Sequence, residues 1–369
     1  MKVAIVYDWL VWMGGGERCL EVFCELFPDA IIHTLLYSPE KITSEIIKKT
    51  KIKTSFIQNL PFAKKYYRNY LPLFPTAIEQ FDLRDYELVL SFSHCVAKGV
   101  ITSPETCHIS YCCTPMRYAW DFYHEYFNQA KYNGASKYII PFFINYLRTW
   151  DVISAHRVNY YIAISNYVKK KIKKYYNCES DVIYPPVNTS FYLPSDSKPD
   201  KYFLIVSRLV PQKKIDIAIK AFNTLGFPLI IIGTGPEEKY LKSISKQNIQ
   251  FLGWQPDEVV KKYYAECRAF LLPGEEEFGI TPLEVQSCGR PVIAFAKGGA
   301  KETVINNQTG ILFYPQTPSA LKDVILNFDD SKFDPKTIRN HSLKFSKDNF
   351  KTNLKNYIDT KLNDFKSNI

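Results

Sequence analysis

None of the nine cysteines forms a C-x-x-C pair, which removes the usual zinc and dithiol signatures and leads us to expect no metal. Most of them fall in apolar runs or on the apolar stripe of a helix, as reduced, buried thiols of a cytosolic protein do. No apolar run reaches the roughly 18 residues a membrane-spanning helix needs. The best, Tyr138 to Leu147, is too short to cross a bilayer, so any membrane contact is expected to be peripheral. The first residues, Met1-Lys2-Val3-Ala4-Ile5-Val6-Tyr7, read as a strand leading to a glycine turn, and they lack the pattern of a signal peptide. There is no G-x-G-x-x-G, and no acid follows the second strand pattern, which argues against a dinucleotide site. Internal repeats and low-complexity tracts are absent.

What remains is an ordinary globular composition, 46% hydrophobic and 23% charged, over 369 residues. That length predicts two domains with a core each. The net charge of +10 has one local concentration. From Lys48 to Pro75 there are seven basic residues, Lys64, Lys65 and Arg68 among them, and no acid. Phe56, Phe62, Tyr66, Tyr67, Tyr70 and Phe74 interleave with them. Such a segment fits an anionic membrane surface or nucleic acid, or else a solvated face over core aromatics.

Short apolar runs alternate with helical patterns throughout, the signature of parallel sheets wrapped by helices. Strands are expected at Val3–Trp9, Ala30–Leu36, Leu88–Phe92, His108–Cys112, Tyr160–Ile164 and Val182–Tyr184 in the first half. In the second they are expected at Tyr202–Val206, Leu229–Ile232, Gln250–Leu252, Ala269–Leu272, Val292–Phe295 and Ile311–Phe313. Pro185-Pro186-Val187-Asn188 and the polar stretch from Leu193 to Asp200 read as a linker. The expected division is 1–190, 191–345 and a C-terminal helix over 346–369 with Phe350, Leu354, Tyr357, Ile358 and Leu362 on one stripe.

The segment Gly274-Glu275-Glu276-Glu277-Phe278-Gly279-Ile280-Thr281-Pro282-Leu283-Glu284 is the most informative. It sets Glu276 at the carboxyl end of a buried strand and Glu284 inside the following helix. Ligands of open α/β sheets bind in that crevice, and the first-turn N–H groups of the helix can hold an anion. The carboxylates themselves accept hydrogen bonds from hydroxyls. A phosphate with two polyols is a nucleotide sugar. Cys288-Gly289-Arg290-Pro291 and Gly298-Gly299-Ala300-Lys301-Glu302 continue the pattern.

This segment resembles the E-x7-E signature of the retaining family 4 glycosyltransferases, and the resemblance runs nearly the length of the chain. It implies the GT-B fold, an α/β architecture of two Rossmann-like doubly wound domains with an interdomain cleft and a tail that returns to the first domain. Gly14-Gly15-Gly16-Glu17-Arg18 resembles the family's glycine loop, so Gly14 and Gly15 are expected at the donor diphosphate. Arg208 and Lys213, in Ser207-Arg208-Leu209-Val210-Pro211-Gln212-Lys213, match the cations that neutralise the departing diphosphate. Glu276 would hold donor-sugar hydroxyls and Glu284 the ribose, with Phe278, Gly279, Ile280 and Thr281 lining the donor site.

Tyr111-Cys112-Cys113-Thr114-Pro115-Met116-Arg117-Tyr118-Ala119-Trp120-Asp121 resembles the signature of a bacterial subgroup that builds surface polysaccharides, often mannosyltransferases. Cys113 stands where many relatives have His. His94, Cys113, Arg117, Tyr118 and Asp121 are the acceptor-side candidates, although His94 reads first as a capping residue. A metal-dependent transferase would carry a paired-Asp D-x-D segment, and none is present. The implied activity is hexose transfer without a metal cofactor. The implied donor is GDP-mannose, and the implied acceptor is a lipid-linked saccharide or oligosaccharide at the inner face of the cell membrane. Alternatives are a UDP-hexose transferase, a sugar-nucleotide 2-epimerase, or a non-catalytic nucleic-acid binder that would leave the donor clamp without purpose.

Overall fold

The computed structural model describes residues 1–127, 136–195 and 199–368. Residues 196–198 of the expected linker lie outside the described residues. The chain forms two compact units: Met1–Tyr184 with Phe350–Ile369, and Pro185–Asn349.

The first unit is built on strands β1 (Val3–Tyr7), β2 (Ile31–Thr34), β3 (Lys51–Thr54), β4 (Leu88–Ser93), β5 (Cys107–Cys112), β6 (Tyr160–Ala163) and β7 (Asp181–Val182). They pair in parallel in the order β3-β2-β1-β4-β5-β6-β7. Five of the seven are fully or almost fully buried and mostly apolar, which is what made them legible. β3 was not expected, because its sequence Lys-Ile-Lys-Thr is half charged. It is an edge strand, and its exposed Lys51 and Lys53 are residues that protect an edge from pairing further. The helix Lys347–Ser367 buries Phe350, Leu354, Ile358 and Leu362. Phe350 lies 6.5 Å from the Phe23 ring and 5.7 Å from that of Tyr111, so from Phe350 onward the tail belongs to the first unit.

The second unit carries β8 (Phe203–Val206), β9 (Leu229–Ile232), β10 (Ile249–Gly253), β11 (Ala269–Leu272), β12 (Val292–Phe295) and β13 (Gly310–Phe313), all parallel, in the order β10-β9-β8-β11-β12-β13. Separate apolar cores cover its two faces, as doubly wound sheets require. Residues 185–195 pack into this unit. Val187 N–H donates to Phe345 C=O at 2.8 Å, and Tyr192 is fully buried. In both sheets the strand order reverses at one place, between β1 and β4 and between β8 and β11. At such a switch point the loops diverge to opposite faces and leave a crevice at the strands' carboxyl ends.

Two buried histidines make the first unit acid-sensitive. Burial, reinforced by Lys53, pushes the His33 imidazole down to about 4, and burial pushes His108 down to about 3. Both stay neutral in the folded protein where an unfolded chain would take up a proton. Their contribution is therefore complete above about pH 6.5 and is lost as pH falls toward those values, at about 1.4 kcal/mol per pH unit for each. The melting temperature is expected to drop between pH 7 and pH 5. An unchanged value, followed by circular dichroism, would contradict this account.

Candidate functional site

In the second unit, the loops after β8, β11 and β12 interlock at the switch point around Glu276. Leaving β8, the chain passes Ser207 and Arg208 and makes a turn of 3-10 helix over Pro211–Lys213. The loop after β11 lies hard against that turn, since a Cβ on Gly274 would come within 2.8 Å of the Gln212 carbonyl oxygen and the Lys213 Cα. Gly298, at φ 68°, lets the β12 loop approach from the other side, where a Cβ would meet the Glu276 carbonyl oxygen at 2.3 Å. Gly299 N–H donates to that same oxygen at 2.8 Å. The Glu276 backbone is thus clamped by two neighbouring loops, and its carboxylate forms an ion pair with the Lys213 ammonium. Sequence reasoning had brought both residues to one crevice but had not paired them.

Arg208 is exposed on the same rim. Phe278 is buried and packs 5.8 Å from the Phe345 ring, while Gly279 adopts φ 98° as the cap of helix Ile280–Ser287. Ile280 and Thr281, in its first turn, are half-buried. Glu284 is buried one turn further on, and the Tyr264 hydroxyl donates to it at 3.2 Å. Two carboxylates, two cations and a helix N-terminus therefore share the carboxyl ends of β8 and β11. Such an arrangement can hold a diphosphate and its attached hydroxyls.

The first unit has a second constellation, at the end of β1, that sequence reasoning missed. Asp8 is fully buried, and its carboxylate accepts from four consecutive backbone N–H groups: His94 and Cys95 on Oδ2 at 2.7 and 2.9 Å, Val96 and Ala97 on Oδ1 at 2.6 and 2.7 Å. His94 Nδ1 also lies 3.0 Å from Oδ2. Burial alone would push this carboxyl up, but the imidazole and the amides together hold it below the usual carboxylate range. The Trp9 ring stands edge-on to the imidazole at 4.5 Å. With Nδ1 committed to Asp8, His94 presents Nε2, which has no hydrogen-bond partner among the described residues, on a side chain 32% exposed. The signal was legible in principle: a carboxylate placed directly after a buried strand, beside the Ser-His that ends its neighbour.

Next to it, the Tyr7 hydroxyl donates to buried Glu17 at 2.8 Å. Gly16 has a local reason to be glycine, because its Cβ would meet that hydroxyl at 2.8 Å. Glu17, in the first turn of the helix Gly15–Leu26, folds back toward its amino end, where a Cβ on Gly14 would lie 3.3 Å from its Oε2. The amino end of this helix thus already faces a carboxylate where the glycine-loop resemblance implies a diphosphate.

Cys113 follows β5, and its N–H donates to Ser93 C=O at 2.8 Å. Its surroundings push this half-buried thiol well above the usual thiol range. Arg117 lies over the Phe122 ring at 5.6 Å, and the Tyr118 hydroxyl is 2.6 Å from the Cys95 sulfur. Asp121 pairs with Lys171 and accepts from the Tyr175 hydroxyl, which ties it to the helix Asn166–Tyr176. This loop is anchored from beneath by a fully buried pair, Lys98 Nζ and Asp151 Oδ1 at 2.7 Å. Asp151 Oδ2 accepts from Trp120 Nε1 at 2.8 Å and from the Tyr176 hydroxyl at 2.9 Å.

Comparison with known proteins agrees with the geometry of the second unit. Residues 194–343 match the family described as Glycosyl transferases group 1. An uncharacterized glycosyltransferase of Methanocaldococcus jannaschii is 31% identical over 192 residues, covering 50% of this chain and 54% of that protein. A GDP-mannose-dependent monoacylated alpha-(1-6)-phosphatidylinositol monomannoside mannosyltransferase of Corynebacterium glutamicum is 33% identical over 140 residues, 34% of this chain and 36% of that one. The chain spans about half the length, or less, of the curated relatives it matches. Among solved structures, the sucrose-phosphate synthase of Thermosynechococcus elongatus superposes with a TM-score of 0.73 at 14% identity, over 98% of this chain and 99% of that one. The fold is therefore that of the GT-B glycosyltransferases.

Proposed function

We propose that this chain is a retaining hexosyltransferase that moves mannose from GDP-mannose to a hydroxyl of a lipid-linked or oligosaccharide acceptor, in surface polysaccharide biosynthesis. The observation that carries the reading is the Glu276–Lys213 pair, clamped at the switch point of a glycosyl transferases group 1 domain. GDP-mannose is favoured by relatives described as GDP-mannose-dependent.

In this reading Arg208, Lys213 and the amino end of helix Ile280–Ser287 meet the charge that grows on the diphosphate as the sugar departs. Preorganised charge of this kind is commonly the largest catalytic term. Glu276 holds donor-sugar hydroxyls and Glu284 the ribose. The acceptor attacks on the face the nucleotide leaves, and the diphosphate takes the proton, so no enzymic base is required.

His94 orients the acceptor. Its Nε2 accepts a hydrogen bond from the attacking hydroxyl and so orients it, with Asp8 fixing the ring. His94→Ala is expected to lower transfer at least about 10-fold while slow donor hydrolysis by water persists, because only the orientation of the acceptor is lost. Equal loss of both reactions, or of neither, would remove this role.

The enzyme is further proposed to be cytoplasmic and peripheral to the inner membrane face. Lys64, Lys65 and Arg68 are the charges that draw it to anionic lipid, an attraction that weakens as salt rises. The test of the donor site is thermal shift with GDP, UDP and ADP. A ligand at about 100 times its dissociation constant stabilises the folded state by about 2.7 kcal/mol. GDP alone is expected to raise the melting temperature. A response to UDP alone would move the donor to a UDP-hexose, and no response to any nucleotide would overturn the reading.

A further inference from the structure

The basic segment that invites a membrane reading keeps few apolar side chains free. Phe56, Leu60, Tyr67, Tyr70, Leu71 and Phe74 all pack on one core of the first unit, leaving Phe62, Tyr66 and Leu73 exposed. The apolar surface lies elsewhere in that unit, on the helix Ser136–Ala155.

This helix turns Ile144, Leu147 and Trp150 into the same core. On its outer side Tyr138, Ile139, Phe142, Phe143 and Tyr146 are 76, 50, 73, 39 and 42% exposed. Positions 138, 142 and 146 recur every four residues and form one stripe, with 139 and 143 beside them. No charged residue falls between Tyr138 and Leu147. A helix apolar on both faces is ordinarily enclosed by protein or lipid, and contiguous exposed aromatic surface marks a contact.

The surrounding charge points to what covers it. The helix Asn166–Tyr176 packs against this one and exposes Lys170 and Lys174. Lys64, Lys65 and Arg68 are exposed on the segment that shares its core. Among the described residues, Asp121 pairs with Lys171, Asp151 with Lys98, and Glu79 with Arg157. Exposed cations therefore lie on the helix packed against this one and on a segment that shares its core. In a two-fold pairing of two chains through the stripe, these cations would be brought toward their own copies and repel. An anionic lipid surface turns the same charges into attraction, and tyrosine and phenylalanine suit the headgroup boundary.

We infer that the outer face of helix Ser136–Ala155 is a membrane-inserting surface, its aromatic stripe lying in the plane of an anionic bilayer. The stripe from Tyr138 to Tyr146 is about 12 Å long at 1.5 Å per residue, which suits a helix lying in the interface and not one crossing it.

The test is co-sedimentation of the whole chain with vesicles of phosphatidylcholine alone or mixed with phosphatidylglycerol, without any nucleotide sugar. Its outcome is therefore independent of the transferase reading. Wild type is expected to pellet with the mixed vesicles. Phe142→Glu should weaken binding at least about 10-fold, because burial of one phenylalanine is replaced by a charge that lipid rejects. Phe142 is largely exposed, so this variant should keep its circular dichroism and melting temperature. Lys64→Glu with Lys65→Glu and Arg68→Glu should weaken only the part of binding that salt also removes. In Phe142→Trp, the emission added over wild type should shift to the blue on vesicles. The inference is overturned if Phe142→Glu pellets as wild type does, if the added emission is unmoved, or if wild type ignores vesicles. It is equally overturned if wild type dimerises through a contact that Phe142→Glu abolishes.

Discussion

Glu276→Ala is expected to abolish sugar transfer while leaving the fold intact. The residue is held by its backbone: Gly299 N–H reaches its carbonyl, and it bridges to Gly298, and neither contact involves the side chain. Truncation removes the carboxylate that pairs with Lys213 and that we assign to the donor's hydroxyls. Neither Lys213 nor Glu276 is fully buried, so no charge is stranded in the core and the melting temperature should stay near that of wild type. Release of nucleoside diphosphate and formation of glycosylated product are the measurements. Glu276→Gln separates two possible reasons for the loss, since the amide still accepts a hydrogen bond from a hydroxyl but no longer attracts Lys213. Activity of the alanine variant within a few-fold of wild type would remove Glu276 from the mechanism.

Arg208→Ala is expected to lower turnover at least about 100-fold, the usual consequence of removing one preorganised stabiliser of transition-state charge. The loss should fall on kcat more than on KM, because the charge on the leaving diphosphate is greater in the transition state than in the bound donor. Arg208 is exposed on the loop after β8, so stability should change little. Chelation with EDTA should leave wild-type activity in place, since we assign to Arg208 and Lys213 the work that a divalent cation performs elsewhere. Activity lost to EDTA and restored by magnesium or manganese would show that these cations are not sufficient.

Much of this protein could be read from its sequence, for identifiable reasons. Strands buried on both faces of a parallel sheet are unbroken apolar runs, so Leu229–Ile232, Ala269–Leu272 and Val292–Phe295 were expected with the bounds they have. The residues proposed for the donor side are close in sequence or follow such strands, so the family resemblance could place Arg208, Lys213, Glu276 and Glu284 at one crevice before any fold was known. The edge strand Lys51–Thr54 was hidden because solvent on its open side removes the need for apolar residues.

What only the tertiary structure decided are the contacts between residues far apart in the chain. Asp8 and His94 are separated by 86 positions, and only the adjacency of β1 and β4 brings the carboxylate to the loop it caps. Lys98 and Asp151 meet in the same way, across 53 positions. The aromatic residues gave the least away. Phe74 and Phe142 look alike in the sequence, yet the first is in the core and the second faces solvent. Local chemistry is written residue by residue, whereas burial is a property of the whole packed unit, set by which face of each element its neighbours leave uncovered.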